Sequence, residues 1–366
     1  MSDRSESADA PAKGKLEYPF VAPPERGRTM EVAPGVLWMR MPLPFALDHI
    51  NLWAIDDDDG WAIVDTGLRT DDTMLVWRAL FANSPDHRPL SRVFVTHMHP
   101  DHIGMAGWLT RKFAVRLWMT RLEYLSCRAM VSDTGREAPS DGTEFYRRAG
   151  WGAAAMEGYQ ARFGNFGKYI HALPDSFRRL HDGEEIRIGA HAWRVVVGNG
   201  HSPEHACLYC PALRVLISGD QVLPRISSNV SVYPTEPDAN PMADWYASLA
   251  KLKREVPDDV LVLPAHNECF RGLHARIDAL KEGQDRAIER LLLALAEPKR
   301  AVDVFGALFS RQIADADLAL LSMATGESLA CLNLLVHRGQ ACMQTDADGV
   351  AWYRLTAANA MRSAAP

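Results

Sequence analysis

From about residue 31 the chain sets short apolar runs against polar turns. EVAPGVLWMRMP, HINLWAID and GWAIVDTG read as three strands, and the acidic turn at 56–60 joins the last two as a hairpin. TDDTMLVWRALFAN then predicts a helix, with Thr70 as its N-cap and acids in the first turn. Val93, Phe94, Val95 and Thr96 form a short buried strand, followed by a helix through GMAGWLTRKF and a strand at VRLWMT. Strand, helix and strand in succession point to an α/β sandwich.

Residues 121–177 break that rhythm. RLEYLSCRAMVSD and EFYRRAGWGAAAMEGYQARFG predict helices, separated by the Gly/Pro/Ser-rich TGREAPSDGT. A helical insertion over the sheet edge is expected, a common way to build a substrate lid. Strands return at EEIRIGAHAWRVVVGNG, CLYCPALRVLISGD and DVLVLPAH. Beyond about 275 the pattern is helical: RIDALKEGQDRAIERLLLALAE is a long amphipathic helix, AVDVFGALFS and GESLACLNLLVHRG follow, and ACMQTDADGVAWYRL reads as a hairpin turned at 346–349. Helices and a hairpin outline a winged-helix-like module over 291–366. A catalytic domain then occupies 30–290, and the polar stretch 1–29 is expected to be a disordered tail.

Composition narrows the class. With 366 residues, 47% hydrophobic and 23% charged, the chain can bury a large core in two or three domains. A net charge of −6 advertises no global attraction to nucleic acid or an anionic membrane. No apolar run approaches the roughly 20 residues of a membrane helix, and the N-terminus lacks a signal-peptide core. Six cysteines without secretion signals then imply reduced thiols and a cytoplasmic location. Cys207 and Cys210 have CxxC spacing, but no second pair exists, so structural thiols are expected before a redox or zinc role.

The chemistry concentrates in VFVTHMHPDHIG, residues 93–104. His97, His99, Asp101 and His102 follow a buried strand, where such groups are costly unless paired or bound. The reading is a metal site on a strand-to-helix turn. His201 after VVVGNG, Asp220 closing VLISGD and His266 closing VLVLPAH each follow another apolar run, from which a ligand can project into a shared cleft.

These residues give the chain its resemblance to the metallo-β-lactamase-fold hydrolases. The H-x-H-x-D-H motif is met by His97, His99, Asp101 and His102, and the later His, Asp and His by His201, Asp220 and His266, over roughly residues 31–280. The resemblance implies an αββα sandwich with metals at one edge. It also implies two zinc ions per chain: His97, His99 and His201 on one, Asp101, His102 and His266 on the other, and Asp220 between them. Iron or manganese would also suit nitrogen and oxygen ligands. IVDTG matches a further family element, in which Asp65 supports the metal-bearing loop without touching metal. The presence of His102 departs from the commonest β-lactamase subclass, and His99 departs from the flavo-diiron branch, which carries Glu there. The arrangement resembles the glyoxalase II-like branch with a C-terminal winged-helix-like domain.

The expected reaction is attack by a hydroxide shared between the metals on a thioester, ester or lactone carbonyl of a small acyl substrate. Asp101 would orient the nucleophile and take its proton. A phosphodiesterase or endoribonuclease is the alternative, since two metals about 3.5–4 Å apart also suit phosphoryl chemistry. Its weakness is the presumptive recognition helix, GESLACLNLLVHRG, which has a single Arg where a nucleic-acid reader displays a basic face. Neither nucleic acid nor a membrane is therefore expected as partner. The C-terminal module is read as a packing or dimerisation element, with a second copy as its partner. Arg225, Asn229 and Tyr233, in the loop leaving Asp220, are candidate substrate contacts or plain loop structure. His49 and Asn51 would rim the cleft or serve the structure, and His205 is set outside the ligands. Aromatics of the insertion, including Phe145, Tyr146 and Trp151, would line an acyl pocket or, as helical spacing favours, form core.

Overall fold

A computed structural model describes residues 16–83, 88–314, 317–357 and 359. Its first half runs β1 (Met30–Ala33), β2 (Val36–Pro42), β3 (His49–Asp57), β4 (Gly60–Val64), α1 (Asp71–Asn83), β5 (Leu90–Phe94), α2 (Pro100–Ile103), α3 (Ala106–Phe113) and β6 (Leu117–Met119). Helices α4 (Arg121–Ser132), α5 (Ser140–Ala149) and α6 (Ala153–Arg162) follow, then β7 (Arg178–Arg179). The seven strands form one sheet in chain order, antiparallel from β1 to β4 and parallel from β4 to β7.

The second half contributes β8 (Glu185–Ile188), β9 (His191–Gly198), β10 (His205–Cys210), β11 (Val215–Gly219), α7 (Pro241–Glu255) and β12 (Leu261–Pro264). These strands make a second sheet, ordered β12-β11-β10-β9-β8, in which only β11 and β12 run parallel. The C-terminal part comprises α8 (Leu273–Ala294), α9 (Phe305–Leu308), α10 (Leu318–His337) and the hairpin β13 (Ala341–Thr345) with β14 (Ala351–Leu355).

Strand alternation builds the layers. The register aligns Trp38, Trp53, Val64 and Phe94 in one row across the first sheet, and Leu208, Val195, Ile217 and Leu263 in another across the second. Both rows belong to one core, sealed between the sheets. The next row of the first sheet, Ala54, Ile63, Val93 and Leu117, faces outward to Val76, Trp77 and Leu109 of the helices. On the outer face of the second sheet, Tyr209, Leu216 and Val262 pack with Trp245, Leu249 and Ile277. The result is the expected α/β sandwich in four layers, αββα.

A polar bridge ties the sheets together at one edge. Asn51 on β3 is fully buried, donates from Nδ2 to the Pro264 and Asn267 carbonyls at 2.9 and 2.8 Å, and accepts from Trp38 Nε1 at 2.9 Å. Its backbone N–H reaches the Ala265 carbonyl. Asn267 takes a left-handed φ of 67°, which turns the chain immediately after His266. Asn51 is thus a strut between the sheets.

Several expectations change. EFYRRAGWGAAAMEGYQARFG is two helices, because Gly150 at φ 98° ends α5 before Trp151. The last residues of TGREAPSDGT already belong to α5. AVDVFGALFS is a 3-10 turn and a one-turn helix, whereas α10 begins well before the expected Gly326. The tail expected over 1–29 lies outside the described residues up to Lys15. From Leu16 onward it packs, with Glu17 bridging Arg271 and Phe20 set edge-on against Trp38.

α10 corrects the hydropathy reading, since it is long and apolar enough by composition to cross a membrane. It is nevertheless mostly buried, and its Leu321, Leu329, Leu332 and Leu335 join the core beneath α7 and α8. Phe145, Tyr146 and Trp151 enter the same core, Trp151 Nε1 donating to Thr325 Oγ1 of α10 at 2.9 Å. Burial, rather than an open acyl pocket, occupies those aromatics. Cys207 and Cys210 point to opposite faces of β10, into different cores, so their spacing brings no two sulfurs together.

Asn51→Ala would take the side-chain partner from the buried Trp38 N–H and the Pro264 carbonyl, while the Asn267 carbonyl keeps Arg40. Unfolding free energy is expected to fall by about 2–4 kcal/mol, read as a lower denaturant midpoint at unchanged slope. A change below about 0.5 kcal/mol would show that the strut is dispensable.

Candidate metal centre

The C-terminal ends of the strands converge on one edge, and the seven candidate ligands arrive there from separate elements. His97 follows β5; His99, Asp101 and His102 sit at and within α2; His201, Asp220 and His266 follow β9, β11 and β12. Their ligand atoms fall into two groups, His97, His99, His201 and Asp220 in one and Asp101, His102 and His266 in the other, each within 4.8 Å. His97 Nε2 lies 2.8 Å from His99 Nδ1 and 3.2 Å from His201 Nε2. Asp220 faces both groups: Oδ2 is 3.3 Å from His201 Nε2 and 3.5 Å from His102 Nε2, and Oδ1 is 3.4 Å from His266 Nε2. Asp101 Oδ2 stands 3.5 Å from His266 Nε2.

Most rings are aimed by a bond on their far side. His102 Nδ1 donates to Asp65 Oδ2 at 2.8 Å, His201 Nδ1 to the Asn229 carbonyl at 2.7 Å, and His266 Nδ1 to the His49 carbonyl at 2.9 Å. Each such bond fixes the tautomer and leaves Nε2 as a lone-pair donor toward the centre. Asp65 adopts a left-handed φ of 63° just past β4, and it also accepts from the Thr96 amide and hydroxyl. Its place is behind the candidate ligands, holding the β5–α2 turn.

The electrostatics suit a cation. Burial, reinforced by the neighbouring imidazoles, holds His97 and His99 well below the usual histidine range, so both rings are neutral. Burial opposes a charge on His102, but the Asp65, Asp220 and Asp101 carboxylates outweigh it and raise that ring. Burial also opposes ionisation of Asp220, yet His266 and His102 hold its carboxyl well below the usual range. Two buried atoms aimed inward, His102 Nε2 and Asp220 Oδ1, have no hydrogen-bond partner. Imidazole nitrogens and carboxylate oxygens crowded this way are the donor set of a divalent transition metal. The residues fit metal binding.

Supporting residues extend beyond the motif. Glu123, on α4 and fully buried, accepts from the Met98 amide at 2.9 Å, from Ser202 Oγ at 2.6 Å and from the Glu204 amide at 2.8 Å. One carboxylate thereby clamps the His97–His99 turn to the His201 loop. Sequence reasoning had no signal for it, because an acid in the first turn of a helix reads as solvent-facing. His205 lies behind Asp220, its Nε2 accepting the Asp220 amide at 3.0 Å, with burial pushing the ring down to about 3. Gly219, at φ 50°, leaves room for that ring.

The loop candidates divide. Arg225 is not brought to the ligands; it pairs with Glu268 at 2.7 Å and lies over the Tyr18 ring, because its loop turns toward the N-terminal segment. Asn229 acts through its backbone on His201, while its side chain donates to Glu327 Oε2 at 2.8 Å. Tyr233 stays 44% exposed. His49 contributes its backbone carbonyl to His266, and its Nε2 accepts the Asn267 amide at 3.0 Å.

The family model of the metallo-beta-lactamase superfamily matches residues 46–266. The chain belongs to that superfamily. A second family model, the metallo-beta-lactamase-like C-terminal domain, matches residues 288–356. Among solved structures, a beta-lactamase domain protein from Burkholderia ambifaria is 41% identical, with a TM-score of 0.85 over 93% of this chain and 98% of its own. A metallo-beta-lactamase family protein from Thermus thermophilus shares the fold at 23% identity, with a TM-score of 0.69 over 89% of this chain and all of its own. An uncharacterized protein from Aquifex aeolicus is 25% identical over 176 residues, 48% of this chain and 66% of its own length. The superfamily membership and the His/Asp cluster together make this chain a metallo-beta-lactamase superfamily hydrolase with a candidate metal site.

Asp65→Ala would free both the Thr96 amide and the His102 ring. Metal affinity is expected to drop about 10–100-fold, measured by competition with a chelating dye. Glu123→Gln should weaken it through the turn alone, with the ligand set intact. Unchanged affinity in both would show that the ligands need no outer support.

Proposed function

We propose that this metallo-beta-lactamase superfamily chain is a dinuclear, zinc-dependent hydrolase acting on a thioester, ester or lactone carbonyl of a small acyl substrate. The observation that carries the reading is Asp220, whose two oxygens face the two ligand groups at 3.3 to 3.5 Å. Divalent cations held by those groups would supply Lewis acidity and make water a nucleophile near neutral pH. Zinc suits the donor set best, and iron or manganese would also be held.

The chain's own residues then have distinct work. His97 and His99 are neutral and offer lone pairs without a proton to lose. Asp101 keeps 22% of its side chain exposed, so of the two carboxylates it is the one open to solvent and able to orient an attacking water and take its proton. Asp220 is the more enclosed and holds the two groups together. Buried thiols such as Cys127 and Cys207 are pushed up to about 12, which leaves them protonated and unsuited to nucleophilic attack.

Carbonyl substrates are favoured over polynucleotides by α10. The helix that would have to read a groove is packed into the core, where its apolar side chains meet α7, α8 and the insertion. A small acyl molecule is the partner this supports.

The test joins metal analysis of the purified protein to a hydrolysis screen. Acyl-CoA thioesters, glutathione thioesters and lactones are set against bis(p-nitrophenyl) phosphate and single-stranded RNA. About two metals per chain and thioester or lactone turnover are expected, with Asp220→Ala losing at least one metal and activity on the order of a hundredfold or more. Phosphodiester turnover alone would replace the carbonyl reading, and an Asp220→Ala protein with full metal and unchanged turnover would remove it altogether.

A further inference from the structure

Two separately matched stretches of the chain meet at one loop beside the metal centre. The loop at 228–232 belongs to the superfamily match at 46–266, and α10 to the C-terminal match at 288–356. Val232 donates its amide to the Gly326 carbonyl of α10 at 3.0 Å, and Asn229 Nδ2 donates to Glu327 Oε2 at 2.8 Å. The other end of the Asn229 amide is held as well, Oδ1 accepting from Ser231 Oγ at 2.6 Å. At Gly326 helix and loop touch backbone to side chain. A Cβ there would stand 2.7 Å from Ser231 Cβ and Oγ and 3.0 Å from the Val232 carbonyl oxygen, so only glycine admits the loop at this distance. Toward the ligands, Ser228 Oγ donates to the Asp220 carbonyl.

With its amide tied at both atoms and Val232 pinned to the helix, Asn229 has little freedom to turn. Its carbonyl is the one that receives His201 Nδ1, at 2.7 Å. A carboxylate of the C-terminal domain thus stands one residue behind a candidate ligand. We propose that the C-terminal domain positions the metal centre: Gly326 and Glu327 hold Asn229, and Asn229 sets the tautomer and aim of His201. Both are positioning residues, acting on His201 through Asn229. The inference rests on the metal-site reading and on no choice of substrate. It gives the domain work beyond packing, since α10 closes the His201 side of the centre as Glu123 of α4 closes the other.

The experiment compares the full chain with Glu327→Gln, Glu327→Leu and Gly326→Ala. Gln keeps an oxygen acceptor for Asn229 Nδ2, Leu removes it, and Ala suits the helix while its methyl displaces the loop. Imidazole nitrogen chemical shifts report the His201 tautomer in metal-free protein in mildly alkaline buffer, and competition with a chelating dye reads the zinc affinities. In the unaltered chain and in Glu327→Gln, His201 is expected as a single tautomer with its proton on Nδ1. In Glu327→Leu and Gly326→Ala that preference should be lost, and one zinc-binding step should weaken about tenfold while the other is unchanged. A His201 ring and zinc affinities unmoved by Leu and Ala would overturn the proposal. So would Gln as harmful as Leu, or both zinc steps weakening together with a lower melting temperature, the mark of general loosening. A chain that binds no zinc would end the metal reading instead, and the metal-free ring comparison would still decide this one.

Discussion

Five imidazoles and two carboxylates whose ligand atoms lie within 4.8 Å in each group are an unfavourable thing to bury. The His97 and His99 rings are held neutral in a crowd of other imidazoles, and the Asp220 carboxylate has lost much of its water. Much of the fold's polar interior exists to hold that arrangement in place. Asp65 restrains the β5–α2 turn, the His49 carbonyl aims His266, the Asn229 carbonyl aims His201, and His205 supports the Asp220 amide. The seams between elements are therefore polar where a simple sandwich would be apolar. Glu123 is buried for the same reason, closing the gap between two ligand-bearing segments, and Asn51 ties β2 and β3 to the chain that carries His266.

The sequence made the candidate ligands legible because they gather after apolar strands. A polar residue at the C-terminal end of a buried run has few reasons to be there, and four such strand ends carry all seven. The layers were legible too, since alternation along β2, β3, β9 and β11 assigns each residue to one face. The supports were not. A backbone carbonyl, such as that of His49 or Asn229, has no residue type that announces it, and Glu123 looks like any acid at the start of a helix. Arg225 misled for a related reason: a long loop has no period, so the direction in which it leaves Asp220 is settled by packing against Tyr18 and Glu268.

Boundaries inside the insertion and the C-terminal part were the least legible. Gly150 divides what reads as one helix, and α10 starts at Leu318, eight residues ahead of the Gly326 at which the helix was expected to begin. The two regions explain each other. Trp151 and Tyr146 reach Thr325 and Ser322 on α10, so the apolar faces of the insertion and of α10 complete a single core that neither could close alone.

Glu123 has a consequence for how such a chain can diversify. The helical stretch between β6 and β7 resembles an exchangeable cassette, the part in which relatives could acquire new specificities by swapping whole segments. Its first helix is not free to travel with the rest, because α4 carries the carboxylate that joins the His97–His99 turn to the His201 loop. A graft that begins at residue 121 discards the clamp; one that begins after Ser132 keeps it. The interchangeable unit is smaller than the insertion, and its edge is set by three hydrogen bonds to one buried acid.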